Sequence, residues 1–135
     1  MPPKSEARIF NINDFIGWND KGELMLNYQQ EFWDLHTKQQ FIYRIFEGLP
    51  ISPIQLTRYI NLEVRKVKNV VWDGNKKLDA IISYCNNEFA VNGITFENLN
   101  DEERARFLNT GLFASFIFIT TDEIYNKKHF SKKTF

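Results

Sequence analysis

The sequence predicts an α+β domain with a single small mixed β-sheet and helices packed on it. Apolar residues repeat every second position in some segments and every third or fourth in others, which indicates both strands and helices. The segments follow the order β-α-β-β-α-hairpin-α-β, which is typical of a mixed α+β domain. Thirteen phenylalanines in 135 residues supply enough apolar area for one core without disulfides or a metal.

The first third of the chain predicts one short strand and one clear helix. Residues 1–7 are polar and proline-rich, and we expect a flexible arm there. Residues 23–27 follow a turn signal and have the composition of a strand. A helix over 37–48 begins at Thr37, which forms a capping-box pattern with Gln40. A glycine and a following proline end this helix.

The middle of the chain predicts two strands and a helix. Residues 54–60 alternate and are rich in β-forming side chains, and residues 64–72 end in an apolar run. The apolar period then changes to that of a helix over 75–86. The apolar face of this helix comprises Leu78, Ile81, Ile82 and Cys85.

The last third predicts a hairpin, a helix and a buried strand. Asn92–Gly93 is a strong two-residue hairpin signal between two short apolar segments. Asn100 is placed to cap a helix that we expect to end at Gly111. The apolar run within 115–120 predicts a buried strand. Residues 126–135 form a basic tail with little material for a core.

Composition predicts one domain, over residues 8–125, and a cytoplasmic location. Seventeen basic and 17 acidic side chains give zero net charge, which argues against a protein that coats nucleic acid by bulk electrostatics. Cys85 is the single cysteine, so a reducing compartment is the simplest home. We expect no signal peptide and no membrane association, because no apolar run approaches the ~20 residues needed to cross a bilayer.

Several enzyme classes lack their motifs in this chain. There is no Walker-type glycine-rich loop and no G-x-S-x-G elbow. The two histidines, His36 and His129, are far apart, and one cysteine cannot build a zinc cluster, so we predict no metal site from these residues. The acidic clusters near residues 101–103 and 122–123 are typical of solvated helix starts.

The most chemical feature is the strand–turn–helix corner at Asp73-Gly74-Asn75-Lys76-Lys77. Asp73 is placed to cap the helix, and two lysines occupy its first turn, where the helix dipole disfavours positive charge. A bound anion would remove that conflict, because free N–H groups and lysines would converge on it. The alternative is that both lysines extend into water.

Two further groups of residues extend this hypothesis. Arg58, Arg65, Lys66 and Lys68 come from the two strands before the corner and could form a basic ribbon that binds nucleic acid. Lysines on edge strands also prevent aggregation, which is the alternative explanation. Upstream, Tyr28 and Trp33 could stack on a base beside Gln29 and Gln30, or the same segment could fold as a lid on the core.

Three segments together resemble the ParB/sulfiredoxin-like domain at the N-terminus of GmrSD-type modification-dependent restriction proteins. Tyr28-Gln29-Gln30 followed by Phe32-Trp33 is similar to the family's Tyr-Gln-Arg segment and its downstream aromatics. Residues 40–54 are similar to its helix, glycine and Pro-Ile-Pro turn. Residues 70–78 are similar to its strand leading into Asp-Gly-Gln-Gln-Arg. The resemblance covers residues 8–120 and implies a ParB/sulfiredoxin-like fold.

The departures from the family pattern bear on activity. The resemblance implies nucleotide binding and hydrolysis at Asp-Gly-Gln-Gln-Arg, but here Asn75, Lys76 and Lys77 replace Gln-Gln-Arg, and Gln30 replaces the arginine of Tyr-Gln-Arg. Lysine does not reproduce the bidentate grip of a guanidinium on phosphate. The nuclease half of GmrSD-type proteins is also absent from this sequence. The family domain normally continues, so the chain could be a shortened form of a longer protein.

Three functions follow as expectations. The first is a nucleotide- or DNA-phosphate-binding module with weak or no hydrolysis, acting as a regulator or decoy on a restriction-system protein. The second is an active NTPase or phosphotransferase, which would use an NTP with magnesium and Asp73 as the catalytic residue that orients a metal or nucleophile. The third is a protein-interaction domain without a ligand. The oligomeric state is left open.

Overall fold

A five-stranded mixed sheet forms the centre of the structure, a computed structural model that describes residues 4–27 and 31–121. The strands are β1 (Lys4–Asn11), β2 (Leu24–Met25), β3 (Ile54–Asn61), β4 (Lys66–Asp73) and β5 (Gly111–Thr121). They lie in the order β1-β5-β3-β4-β2, with β1–β5 and β3–β4 antiparallel and β3–β5 and β2–β4 parallel. The predicted α+β class and single mixed sheet are confirmed.

Four helices accompany the sheet within the described ranges. They are α1 (Ile12–Asp20), α2 (Leu35–Phe46), α3 (Asn75–Cys85) and α4 (Asp101–Leu108), with a single 3-10 turn at Phe96–Asn98. None of them is long and apolar enough to cross a bilayer.

The hydrophobic core lies on one face of the sheet. Alternate residues of the central strands, such as Ile54 and Leu56 on β3 and Ala114 and Phe116 on β5, are almost completely buried. Helix α3 contributes Leu78 and Ile81 to the same core, as its apolar period predicts. Further buried core side chains come from Ile12, Phe15, Ile42, Ile45, Tyr84, Phe107 and Leu112.

An ion pair joins α2 to α3. Lys38 Nζ lies 3.0 Å from Asp79 Oδ2, in a geometry that makes this a charge contact and not a hydrogen bond.

Helix α2 begins two residues earlier than predicted. Asp34 is its N-cap, and the Asp34 side chain accepts a hydrogen bond of 2.9 Å from the backbone N–H of Thr37. The predicted capping box of Thr37 with Gln40 is therefore wrong. An aspartate is as good an N-cap as threonine and also favours the positive end of the helix. The predicted helix end is confirmed at Gly48, which has φ +73.

The N-terminal arm is wrong for residues 4–7, which belong to β1. This strand pairs with β5 along its whole length, from Lys4 opposite Phe118 to Asn11 opposite Gly111. Its polar sequence reflects its position at the edge of the sheet, where Arg8 and Glu6 form an exposed ion pair of 2.7 Å. Helix α1 follows, with a capping box between Asn11 and Asp14 that the sequence analysis did not identify.

The region between α3 and β5 differs from the predicted hairpin and helix end. The turn at Asn92–Gly93 forms with positive φ at both residues, but a single bridge, Val91 to Ile94, replaces the predicted pair of strands. Asn100 caps α4 as predicted, through a capping box with Glu103. Gly111, however, starts β5 instead of ending α4, because α4 already stops at Leu108. The predicted basic tail lies outside the described residues.

Candidate functional site

The corner between β4 and α3 is built around a bulge and a glycine. The register between β3 and β4 shifts so that Gln55 pairs with Asp73 while Leu56 pairs with Val71, which leaves Trp72 as the extra residue. Gly74 follows with φ +113, and a Cβ there would lie 2.9 Å from Ile54 Cγ1. Both the backbone angle and the close approach therefore require glycine at this corner.

No side chain caps the start of α3. Gly74 is the N-cap residue and makes no side-chain hydrogen bond, so the prediction that Asp73 caps this helix is wrong. Asp73 precedes this glycine and is the exposed last residue of β4. The N–H groups of the first turn of α3 have no partner within the helix, as at every helix start. Among the described residues no acceptor is found for them, so an acceptor from outside can bind there.

Asn75 is a structural residue at this corner. Its side chain is 2% exposed; Oδ1 accepts from the backbone N–H of Asn27 at 2.7 Å, and Nδ2 donates to the carbonyl of Val71 at 3.3 Å. The amide therefore joins the end of β4 to the chain that leads into Tyr28. A ligand can contact the Asn75 backbone, but the side chain is already engaged.

The two lysines of the first turn differ in their surroundings. Lys77 Nζ donates to the carbonyl and the hydroxyl of Ser52, on the chain before β3. Lys76 is exposed, and no partner is found for its ammonium group among the described residues. Lys76 is thus the lysine that is immediately available to an anion.

A cavity of about 270 Å³ opens at this corner. Two indoles, those of Trp33 and Trp72, line it together with the segment from Asp73 to Lys77. Trp33, one of the two predicted base-stacking residues, therefore lies at the corner, and its ring also packs 5.2 Å from that of Phe41. The other members of the predicted stacking group, Tyr28, Gln29 and Gln30, lie outside the described residues.

Trp72 was not predicted as a site residue. Its side chain is 53% exposed, unusual for so large an aromatic group. The signal in the sequence is a tryptophan directly before Asp-Gly, at the end of an apolar run that otherwise predicts burial. Because Val71 is buried opposite Leu56, the alternation of side chains along β4 places Trp72 on the opposite face of the sheet, outside the core.

Arg58 does not belong to a basic ribbon. Its guanidinium lies within 6.0 Å of four ring centroids, and its Nε donates to Asn69 Oδ1 at 2.7 Å. Burial lowers the pKa of Arg58, and nearby Arg8 adds to this effect. The side chain is a half-buried cation held in an aromatic cage and does not extend the row of Arg65, Lys66 and Lys68, while a role of Arg58 in nucleic-acid binding stays a prediction. The four rings are those of Phe10, Trp18, Phe116 and Phe118.

The other three predicted basic residues lie at the far end of β4. Arg65, Lys66 and Lys68 line a second cavity of about 230 Å³, where Lys68 Nζ donates to the carbonyl of Gly22 at 2.7 Å. Since β4 rises ~3.3 Å per residue, Lys66 is on the order of 20 Å from Trp72. The prediction placed these residues beside the corner. In the structure they lie at the opposite end of the same strand.

The described part of the chain offers few residues for metal binding or nucleophilic catalysis. No group of three or more histidine, cysteine, aspartate or glutamate side chains lies close enough together there to hold a metal ion. Burial raises the pKa of the Cys85 thiol to about 12, which suppresses the thiolate. A larger cavity of about 580 Å³, between α2 and the Asn92 turn, includes His36 and Arg44 but none of the predicted site residues.

A scan against protein-family models, a search of curated proteins and a search of solved structures each find no match to this chain. The resemblance to the ParB/sulfiredoxin-like domain therefore rests on the motifs quoted above. The candidate site rests on its geometry.

Proposed function

We propose that this protein is a nucleotide- or DNA-phosphate-binding module of the ParB/sulfiredoxin-like type, with weak or no hydrolysis. In this proposal it acts in the cytoplasm as a regulator or decoy for a restriction-system protein. The observation that carries it is the corner cavity, where two tryptophans and Lys76 surround the uncapped start of α3. In this proposal the tryptophans bind a base, and Lys76 and the backbone N–H groups of α3 bind a phosphate, within one small cavity.

The division of labour follows from the contacts. Backbone N–H groups at the start of α3 donate to phosphate oxygens, and the Lys76 ammonium neutralises them. Gly74 provides the backbone conformation that starts α3 at this corner, because its φ is +113 and an added Cβ would collide with the buried Ile54. The indoles of Trp33 and Trp72 stack on a base without selecting its identity.

Magnesium fits this cavity as a companion of the nucleotide. Asp73 is the one carboxylate in the lining, and magnesium is commonly held by one or two carboxylates together with substrate phosphates. Bound there, magnesium would neutralise phosphate charge. Among the described residues, the lining contains no arginine and no second carboxylate, in keeping with the proposed weak or absent hydrolysis.

The first test is a thermal-shift screen with ATP, GTP, CTP and a short DNA strand, each with and without magnesium. Stabilisation without phosphate release supports the proposal. Sustained phosphate release would favour the NTPase or phosphotransferase instead. If no compound shifts the melting temperature, the corner is not a phosphate site.

Variants then localise the binding. Lys76→Gln should weaken nucleotide binding with little effect on the unliganded protein, because Lys76 has no partner among the described residues. Trp72→Leu should weaken it by about 1–3 kcal/mol, the usual contribution of one stacked base. Arg106→Gln is the control, since this exposed cation lies on α4, outside the corner cavity. Equal effects from Arg106→Gln and Lys76→Gln would show that the ligand senses only overall charge.

A further inference from the structure

The face of the sheet that turns away from the helices is open along its central strands. On β5, Leu112, Ala114 and Phe116 are buried against the core, whereas Phe113, between them, is 46% exposed. Trp72 on β4 and Ile9 on β1 are likewise exposed, at 53% and 67%. These three side chains lie at the end of the open face nearest the corner, because Ile9 pairs with Phe113 and Asp73 pairs with Gln55.

The charges on this face are distributed unevenly. The open-face residues between the strand ends are uncharged; on β3, β4 and β5 they include Gln55, Thr57, Val70, Ser115 and Ile117. Lysines stand at both ends, with Lys66 and Lys68 at one and Lys76 at the other. Asp73 is the one carboxylate that the described strands contribute here, beside the glycine of the corner. Such a surface is complementary to a chain of phosphates whose ends meet the lysines and whose middle passes over uncharged side chains.

Trp72 connects the two features. It lines the corner cavity and also belongs to the open face, so a ligand bound at the corner can continue onto the sheet without a break. Phe113 is the next exposed aromatic side chain, two strands away across β3. Two strand spacings are about 10 Å, and the register offset adds about 7 Å along the strands, so the two side chains start on the order of 12 Å apart, within reach of two bases of one extended strand.

We propose that the open face of the sheet binds single-stranded nucleic acid that extends from the corner, with one base stacked on Trp72 and a second on Phe113. This inference rests on the proposed function, because the first phosphate occupies the corner. A single strand fits better than a duplex, since only unpaired bases offer their faces to aromatic side chains on a sheet. Lys66 and Lys68 contact phosphates further along the strand.

The test compares thymidine monophosphate with an oligothymidylate of about eight nucleotides, by fluorescence anisotropy and tryptophan quenching. Phe113→Leu keeps an apolar side chain of the strand but removes the aromatic face. It should lower oligonucleotide affinity about 5- to 100-fold and leave monophosphate affinity unchanged. Phe113→Tyr should restore oligonucleotide binding. Tyr43→Leu is the matched control, because Tyr43 is 44% exposed on α2, away from this face.

The outcomes separate the two proposals. Monophosphate binding with no gain for the oligonucleotide, or oligonucleotide binding that Phe113→Leu does not weaken, would overturn the extended site and leave the corner intact. Absence of binding by either ligand would overturn both. Light scattering is measured in parallel: if Phe113→Leu converts a dimer into a monomer, the open face is a contact between copies of this chain and the inference is wrong. A duplex that binds as well as the single strand would also overturn it.

Discussion

At the scale of single residues, Gly74 imposes the strictest requirement. Its φ of +113 disfavours any side chain, and an added Cβ would lie 2.9 Å from a buried isoleucine. We predict that Gly74→Ala lowers the free energy of unfolding by at least about 2 kcal/mol, as strain and overpacking add. Urea denaturation measures the loss.

Gly48→Ala is the control for this prediction. Gly48 also has a positive φ, of +73, but no atom lies within 4 Å of its added Cβ. It should lose only the conformational cost, about 1 kcal/mol. Equal losses at the two glycines would mean that the approach to Ile54 is unimportant.

Arg58 illustrates how strongly a residue depends on its surroundings. Its planar group lies over four rings and donates to Asn69, so lysine can retain the charge but not the fit. We predict that Arg58→Lys destabilises the protein by about 1–2 kcal/mol. Arg65→Lys, in the exposed turn between β3 and β4, should change stability by less than about 0.5 kcal/mol. A similar effect at both positions in urea denaturation would contradict a structural role of the cage.

At the scale of elements, the two lysines in the first turn of α3 have opposite effects on stability. Lys76 opposes the helix dipole without a partner among the described residues, whereas Lys77 offsets that cost by bonding to Ser52. We predict that Lys76→Gln leaves the melting temperature of the unliganded protein unchanged or slightly higher. Lys77→Gln should lower stability by about 0.5–1.5 kcal/mol, because it releases the chain before β3.

The single variants, compared with the double variant Lys76→Gln/Lys77→Gln, distinguish the contact of Lys77 with Ser52 from a simple effect of charge. If the dipole alone mattered, both single variants would stabilise the protein and their effects would add. A destabilised Lys77→Gln, with Lys76→Gln neutral or stabilising, requires the contact with Ser52. Differential scanning calorimetry without nucleotide gives the comparison.

At the scale of the whole molecule, the core makes stability sensitive to alkaline pH. Burial raises the pKa of Cys85 from 9.0 and that of Tyr84 from 10.0, each to about 12. Between about pH 9 and pH 12, both groups stay neutral in the folded protein but lose their protons in the unfolded chain. Their contribution to the free energy of unfolding is therefore complete below about pH 9 and declines as the pH rises towards 12. The slope approaches about 1.4 kcal/mol per pH unit for each group.

Two variants isolate these contributions in urea denaturation at several pH values. Cys85→Ala should flatten the decline above pH 9, and Tyr84→Phe should flatten it above pH 10, although each also costs some packing at neutral pH. Parallel pH profiles for both variants and the parent would show that neither group titrates differently on folding. In the folded parent, Cys85 should react with a thiol reagent at pH 8 far more slowly than after unfolding.

Features that depend on neighbours within a few residues could be predicted from the amino-acid sequence. The apolar stripe of α3, the capping box at Asn100 and the turn at Gly74 follow from local spacing, because helix periodicity, caps and glycine angles are short-range. The α+β class follows from the order of such segments.

Roles that depend on partners distant in the chain became visible in the folded structure. The polar segment before Asn11 became an edge strand because β5, some hundred residues later, pairs with it. Arg58 became a caged cation because β1, α1 and β5 bring aromatic rings around it. Trp72 became a site residue because buried Val71 lies on the core face of β4 and the chain of Trp33 meets the end of this strand. Burial and strand register arise from contacts between distant segments, and local composition does not determine which segments meet.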